Sequence, residues 1–474
     1  MLEGRLIRGG TVIDQDGARR ADVLVVGEHI AAVGPDLDPS GATVIDAGAC
    51  YVIPGAIDVH THFDLPVGAV RSADDFTSGT IAAACGGTTC VIDFAGAGRE
   101  PWTEALATWH EKADANAVVD FGFHLTVTGL PESLDGARAR FRQFAERGVT
   151  SVKLYMAYPE RLMVDDATLG RALAASVEVG VRVMVHAEDG LEIERRAAAV
   201  LGDGATGPSA ITEVKPPSVE AAAIRRAAVL ARGAGAQLYV VHLSSAEGLQ
   251  AILDARAAGA DVRAETCPQY LYLDAARLQD LETGQDFVCS PPIRGATDRD
   301  ALWTALASGD LDVVSTDHCP FTPADRRHGT IARAGGWRNF TEIPGGLPGV
   351  ETLLSLAYQG VRDGRLSLER WVEATAVAPA RMFGLWGRKG SVRAGFDADL
   401  VVFDPAAKRR LDARRLHSRS GHSPYEGMEV VGWPALTLSR GRVVAREGEP
   451  AEVEPGWGRF VPRARSVRPP GAAR

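Results

Sequence analysis

Six side chains able to hold a metal ion end or closely follow short apolar runs. They are His60 and His62 in GAIDVHTHF, Lys153 in SVKLYMAY, His186 in VMVHAED, His242 in YVVHLSS and Asp317 in VVSTDHCPF. Residues two apart on a strand face the same way, so Asp58, His60 and His62 are expected to project together. Two imidazoles at that spacing can hold one ion, with Asp58 supporting a histidine from behind. Lys153 is the odd member. Burying an unpaired ammonium is costly, and an ammonium has no lone pair to give a metal. As a ligand it must be modified or deprotonated; otherwise it pairs with a carboxylate or reaches water along its stem.

The runs carrying these residues are rich in Val, Ile and Leu, the pattern of strands buried on both faces. Eight strand candidates can be read, at YVIPGAIDVH, TTCVIDF, VVDFGFHLTV, VTSVKLYM, VRVMVHA, QLYVVHL, DVRAET and LDVVST. Helical stretches separate most of them, among them DDFTSGTIAAACG, PESLDGARARFRQFAERG and VEAAAIRRAAVLARGAG. Strand–helix alternation predicts a parallel sheet, and eight repeats predict a closed (β/α)8 barrel with its site at the mouth. Towards both ends the texture changes to short strands and turns, in LIRGGTVI, ADVLVVG and HIAAVG and again in SVRAGFDADLVVFDP and ALTLSRGRVVAREGE. The expected fold class is therefore α/β: a TIM-like barrel over 54–388, a small β-sandwich from 1–53 and 389–456, and a tail at 457–474. The tail carries Arg463, Arg465, Arg468 and Arg474 without an acid.

Composition narrows the class. With 46% apolar and 24% charged residues the chain reads as an ordinary globular protein. Its net charge of −10 argues against a nucleic-acid partner. The sequence shows neither an apolar run of membrane-span length nor the apolar core of a secretory signal. Cys50, Cys85, Cys90, Cys267, Cys289 and Cys319 form no C-x-x-C pair, which points to reduced thiols and a cytoplasmic home.

The segments PGAIDVHTHF, ADDFTSGTIAAACGGTTCVIDF, SVKLYMAY, VHAED, VVHLSS, AETCPQYLYLD, CSPPIR and STDHCPF resemble the cyclic amidohydrolases, closest to the hydantoinase and dihydropyrimidinase branch. The likeness runs nearly the whole length of the chain. It implies two zinc ions bridged by a carboxylated Lys153, with His60, His62, Lys153 and Asp317 on one and Lys153, His186 and His242 on the other. It also implies a hydroxide shared by the metals that opens hydantoins or dihydropyrimidines to N-carbamoyl amino acids. Asp317 would shuttle the proton, Tyr158 would donate to the oxyanion, and Ser290 and Gly345 would grip the ring largely through backbone groups. Leu65, Tyr155 and Leu162 fall where the branch places apolar residues around the exocyclic substituent, a wall expected to offer nothing to a carboxylate. A homotetramer, with the C-terminal segment packed on a neighbouring subunit, is implied in the same way.

Two departures stand out. Gly345 in IPGG replaces the usual Asn of the branch, and HSPYEGM near His422 leans towards allantoinases and dihydroorotases. Against a dihydroorotase, His62-Phe63-Asp64 puts an acid where that enzyme carries a carboxylate-gripping arginine. A non-catalytic relative serving as an assembly module would have lost metal ligands, and all six are present. Of the other polar residues, His124 reads as a hydrogen-bonded core histidine, His110 as a helix-face residue and His328 as a loop residue. Cys319 reads as a small buried hydrophobe, and His318 should point away from its neighbour Asp317.

Overall fold

The computed structural model describes residues 4–159, 161–280, 282–328, 337–451 and 453–465. Among these, eight parallel strands pair in chain order: β1 (Ala56–Thr61), β2 (Thr88–Ala95), β3 (Asp120–Thr126), β4 (Ser151–Tyr155), β5 (Arg182–His186), β6 (Gln237–Val240), β7 (Asp261–Thr266) and β8 (Val313–Val314). Each expected strand is found. Their apolar runs are continuous rather than alternating because both faces are covered; every residue of β2 is buried.

The barrel closes where β1 meets the segment after β8. Thr61 bridges to His318 in parallel, and the His62 amide donates to the His318 carbonyl at 2.8 Å. Asp58 reinforces the seam, accepting from the Thr316 amide at 3.1 Å and from its hydroxyl at 2.5 Å. Asp58 therefore ties first strand to last and also accepts from the His60 amide at 3.2 Å, bracing that histidine's backbone.

Helices cover the outside, with ends readable from chemistry. Asp75 caps Phe76–Cys85 by accepting from the Ser78 amide at 2.8 Å, and Ser133 caps Leu134–Glu146 through the Gly136 amide. The helix Pro217–Ala234 opens on proline and stops at Gly235, whose φ of 67° lies in the left-handed region. Inside the barrel, Cys90, Ile92, Phe94, Met184, Tyr239 and Val313 form a buried cluster with Phe383 and Val461.

The chain ends build one further sheet. Gly4–Asp14 pairs with Gly17–Val26 and, in parallel, with Ala42–Asp46 and Tyr51–Pro54; Tyr51–Pro54 then pairs with Leu400–Arg410, which continues to Glu429–Ser439 and Arg442–Arg446. Ile7, Val12, Val23 and Val52 share one core with Leu400, Val402, Leu436 and Leu438, so both ends form a single unit. The run YVIPGAIDVH, expected as one strand, is divided at Gly55 between the two sheets. A side chain at Gly55 would collide with Thr89.

The described part of the tail lies on its own barrel. Phe121 donates its amide to the Arg459 carbonyl, and Val461 returns one to Phe121 at 2.7 Å. Arg463 is buried against the Phe123 carbonyl, while Arg468 and Arg474 fall outside the described residues.

Candidate active site

The six expected ligands converge at the carboxyl ends of the strands. His60 is the last residue but one of β1 and His62 follows the strand; Lys153 lies in β4 and His186 closes β5; His242 and Asp317 come just after β6 and β8. All six are buried, the most exposed being Asp317 at 8%. Tyr158, His242 and Asp317 hold positive φ angles of 64°, 40° and 50°. Non-glycine residues seldom adopt such angles, and this backbone strain collects where side chains must be aimed.

Donor chemistry tests whether a cation fits. Glu265, at the end of β7, accepts from His60 Nδ1, which leaves the Nε2 lone pair facing inward. That Nε2 lies 3.1 Å from Lys153 Nζ and 3.1 Å from Asp317 Oδ1, and His62 Nε2 lies 3.1 Å from the same oxygen. On the other side His186 donates Nε2–H to Glu188 at 2.7 Å, and its Nδ1 meets His242 Nε2 at 2.9 Å. Lone pairs thus converge where further protons would create buried imidazolium, the situation a bound cation resolves. His62 Nδ1 and His242 Nδ1 are buried and find no hydrogen-bond partner among the described residues. The residues fit a metal centre.

Lys153 is 1% exposed, with Nζ 4.4 Å over the Phe94 ring. Burial pushes its pKa down to about 8, against the pull of Asp317 and Glu265. Glu188 is the reverse case: burial disfavours its charge, but Lys215 and His186 hold the carboxyl down at about 2.

These groups open onto a cavity of about 350 Å³. Tyr158, Ser290, Gly345, Leu65, Tyr155 and Leu162 all line it, as expected for substrate contacts. A Cβ on Gly345 would meet nothing nearer than 3.6 Å, so the glycine leaves room beside Ser290. Ile211, Phe340 and Ile343 add apolar wall, but Lys215 and Arg161 line the cavity too. The expected apolar wall of Leu65, Tyr155 and Leu162 thus stands beside two cations, of which Lys215 is already paired with Glu188 at 2.8 Å.

Sequence reasoning missed Glu265, Glu188 and Lys215. The first two carry a signal, acids at strand ends, with Glu188 two residues past His186; Lys215, in EVKPPS, looks like any solvated loop lysine. The residues set aside behave as expected. His124 bonds Ser151 and the Val59 carbonyl, His318 turns to Asp74 at 3.1 Å, and His110 pairs with Asp114 on its helix. The side chain of His328 lies outside the described residues. Cys319 borders the cavity, with burial and the Asp317 charge keeping its thiol protonated. A second acidic group, Asp120, Asp397 and Asp399, already encloses a cation of the chain: Lys389 Nζ lies 2.8 Å from Asp120 and 3.2 Å from Asp397 and also contacts Asp399.

Residues 51–444 match the model of the Amidohydrolase family. The chain is 42% identical over 464 residues to a D-hydantoinase of Geobacillus stearothermophilus, covering 97% of each. It is 40% identical over 472 residues to a D-hydantoinase of Streptomyces coelicolor, covering 98% of this chain and 99% of that one. The crystal structure of dihydropyrimidinase from Brevibacillus agri NCHU1002 matches with a TM-score of 0.94 and 40% identity, covering 98% of this chain and 100% of that one. Fold, converging ligands and full-length likeness agree: the chain belongs to the amidohydrolase family, in its hydantoinase and dihydropyrimidinase branch, and is a cyclic amidohydrolase.

Proposed function

We propose that this enzyme opens 5-substituted hydantoins and 5,6-dihydropyrimidines to N-carbamoyl amino acids. The observation that carries the reading is the convergence of His60, His62, Lys153, His186, His242 and Asp317 on one end of the cavity. His60, His62, Lys153 and Asp317 would hold one zinc ion and Lys153, His186 and His242 the other, Lys153 bridging them as its carbamate. When bound, the pair lowers the pKa of a shared water to about 7 and polarises the scissile carbonyl.

Carbamate formation needs the free amine. Burial favours that form, pushing the Lys153 pKa down to about 8. Asp317 takes the attacking water's proton and returns it to the leaving nitrogen as the C–N bond breaks. Tyr158 donates to the oxygen that gains charge, and burial keeps its hydroxyl protonated. Main-chain groups at Ser290 and Gly345 hold the ring, while Leu65, Tyr155 and Leu162 bracket the substituent.

Asp64 supplies no cation to the cavity where a dihydroorotase would grip its carboxylate. It is bound to Arg71 at 2.9 Å and Lys112 at 3.2 Å, away from the cavity-lining residues. Zinc-loaded protein offered hydantoin, 5-alkyl and 5-aryl hydantoins, dihydrouracil, dihydroorotate and allantoin should turn over the hydantoins and dihydrouracil. Preference for dihydroorotate or allantoin over every hydantoin would refute the reading. We assign it to the cytoplasm, in keeping with six free cysteines, and to a homotetramer, which a stable monomer in sedimentation would disprove.

A further inference from the structure

His318, the residue after Asp317, is bonded through backbone and ring alike. Its amide donates to the His60 carbonyl at 3.3 Å, and its carbonyl accepts from the His62 amide at 2.8 Å. Ring Nδ1 accepts from the Gly349 and Val350 amides at 3.1 and 3.3 Å, so it carries no proton. The proton is therefore on Nε2, which donates to Asp74 Oδ2 at 3.1 Å. Both side chains are buried.

Asp74 receives further donors from two directions. Ser78, in the helix Phe76–Cys85, gives its hydroxyl at 2.8 Å; the Ser418 hydroxyl at 2.6 Å and the Arg419 amide at 2.8 Å arrive from the other end of the chain. Ser418 and Arg419 lie in an excursion, residues 411–428, that leaves the small sheet after Leu400–Arg410 and rejoins it at Glu429–Ser439. Backbone bonds from Leu411 to Gly427 and Met428 close its base, and the HSPYEGM motif belongs to it. The excursion also reaches the other side of the His318 ring. There His417 donates its amide at 2.7 Å and Nδ1–H at 2.9 Å to Glu351, the residue after Val350.

Asp317 needs such support. Its φ of 50° costs on the order of 1–3 kcal/mol and persists only where neighbours over-determine it. Its carboxylate meets His60 and His62, which themselves face the metal site, so the fixed neighbour is His318. We propose that Asp74 is a positioning residue: it fixes His318, and through it the stance of Asp317, while the excursion from the small sheet holds Asp74. This rests on the role given to Asp317 above. An aspartate that only joined sheet to barrel would matter for stability, and for neither metal nor turnover.

The test uses zinc-loaded full-length enzyme and reads kcat, KM, zinc retention against a chelator and thermal melting. In Asp74→Asn the amide nitrogen must face a fixed N–H whichever way it turns, that of Arg419 or that of His318 Nε2. Displacing Asp317 in this way should lower kcat roughly 10- to 100-fold at near-constant KM. Zinc should be held about tenfold less tightly. Ser418→Ala removes one bond to the same carboxylate, but Ser78 and Arg419 still hold Asp74 against His318. Its melting should drop while kcat and zinc retention stay those of wild type. In a His318→Gln background, Asp74→Asn should lower kcat no further. An Asp74→Asn enzyme that melts lower yet keeps wild-type kcat and zinc retention overturns the proposal, as do losses that multiply in the double variant. If Asp74→Asn does not fold, His318→Gln must lower kcat at constant KM and loosen zinc, or the proposal falls. Wild-type enzyme that opens none of the rings refutes the proposed function alone, and zinc retention then decides the role of Asp74 by itself.

Discussion

Glu265 offers the sharpest test of the metal centre, because it touches no metal itself and acts on it through His60 and the backbone of His242. Fully buried, it accepts from His60 Nδ1 and, at 3.3 Å, from the His242 amide with one oxygen and from the Tyr239 hydroxyl at 2.9 Å with the other. Glu265→Leu strands all three donors. At about 1–3 kcal/mol for each unsatisfied group, the variant should lose about 3–9 kcal/mol of stability. It also frees the His60 tautomer, and loss of such a partner typically weakens metal binding about 10- to 100-fold. Glu265→Gln separates the two effects. Its amide oxygen can still accept from His60 while its NH₂ donates to Tyr239, so stability should stay within about 1 kcal/mol of wild type and only the charge on the imidazole is lost. Zinc retention against a competing chelator, alongside denaturant melts of stripped protein, reads both quantities. If Glu265→Leu holds zinc as tightly as wild type, Glu265 does not orient His60 for a metal and the ligand assignment fails with it.

Lys153→Ala should lose metal and hydrolysis, with short carboxylic acids restoring part of both; full activity in that variant would remove the bridging role. Glu188, held at about 2 against an ordinary 4.5, contributes stability that is fully present above pH 4.5 and lost as pH falls towards 2, because the unfolded chain binds the extra proton in that window. The stability difference between wild type and Glu188→Gln, roughly 3 kcal/mol at neutral pH, should therefore shrink across the window; a pH-independent difference would refute the ion pair. Lys389→Met leaves Asp120, Asp397 and Asp399 buried around no ammonium and should cost about 3–5 kcal/mol in denaturant melts; a loss below about 1 kcal/mol would show that the cluster relaxes without it.

The strands and inward-facing ligands were legible because each obeys a local rule. A run buried on both faces reads as continuous Val, Ile and Leu, and a histidine, lysine or aspartate at its end interrupts the run visibly. The supporting groups obey no local rule. Glu265 meets His60 across 205 residues of sequence, and nothing near Lys215 announces a partner at Ser290, 75 residues on. Asp58 holds the His60 amide, as its place two residues earlier allows, but its bonds to Thr316, 258 residues away, carry no local signal. The C-terminal segment was read from its basic, proline-rich composition, but the open backbone groups of Phe121 and Gly148 decide where it lies.

The sheet built from both chain ends sets an order on biosynthesis. Tyr51–Pro54 finds its antiparallel partner in Leu400–Arg410, some 350 residues later. At about 5–20 residues per second, a ribosome needs on the order of 20–70 s to deliver that partner. Throughout that interval the nascent N-terminal strands present an unpaired edge, a template for wrong pairing. The same edge runs through Gly55 into β1 and so into His60 and His62. Misassembly of the small sheet would thus reach the ligands directly; a chaperone that shields the edge should raise the active fraction more than the bulk yield of chain, and slower translation, which lengthens the exposure, should lower it.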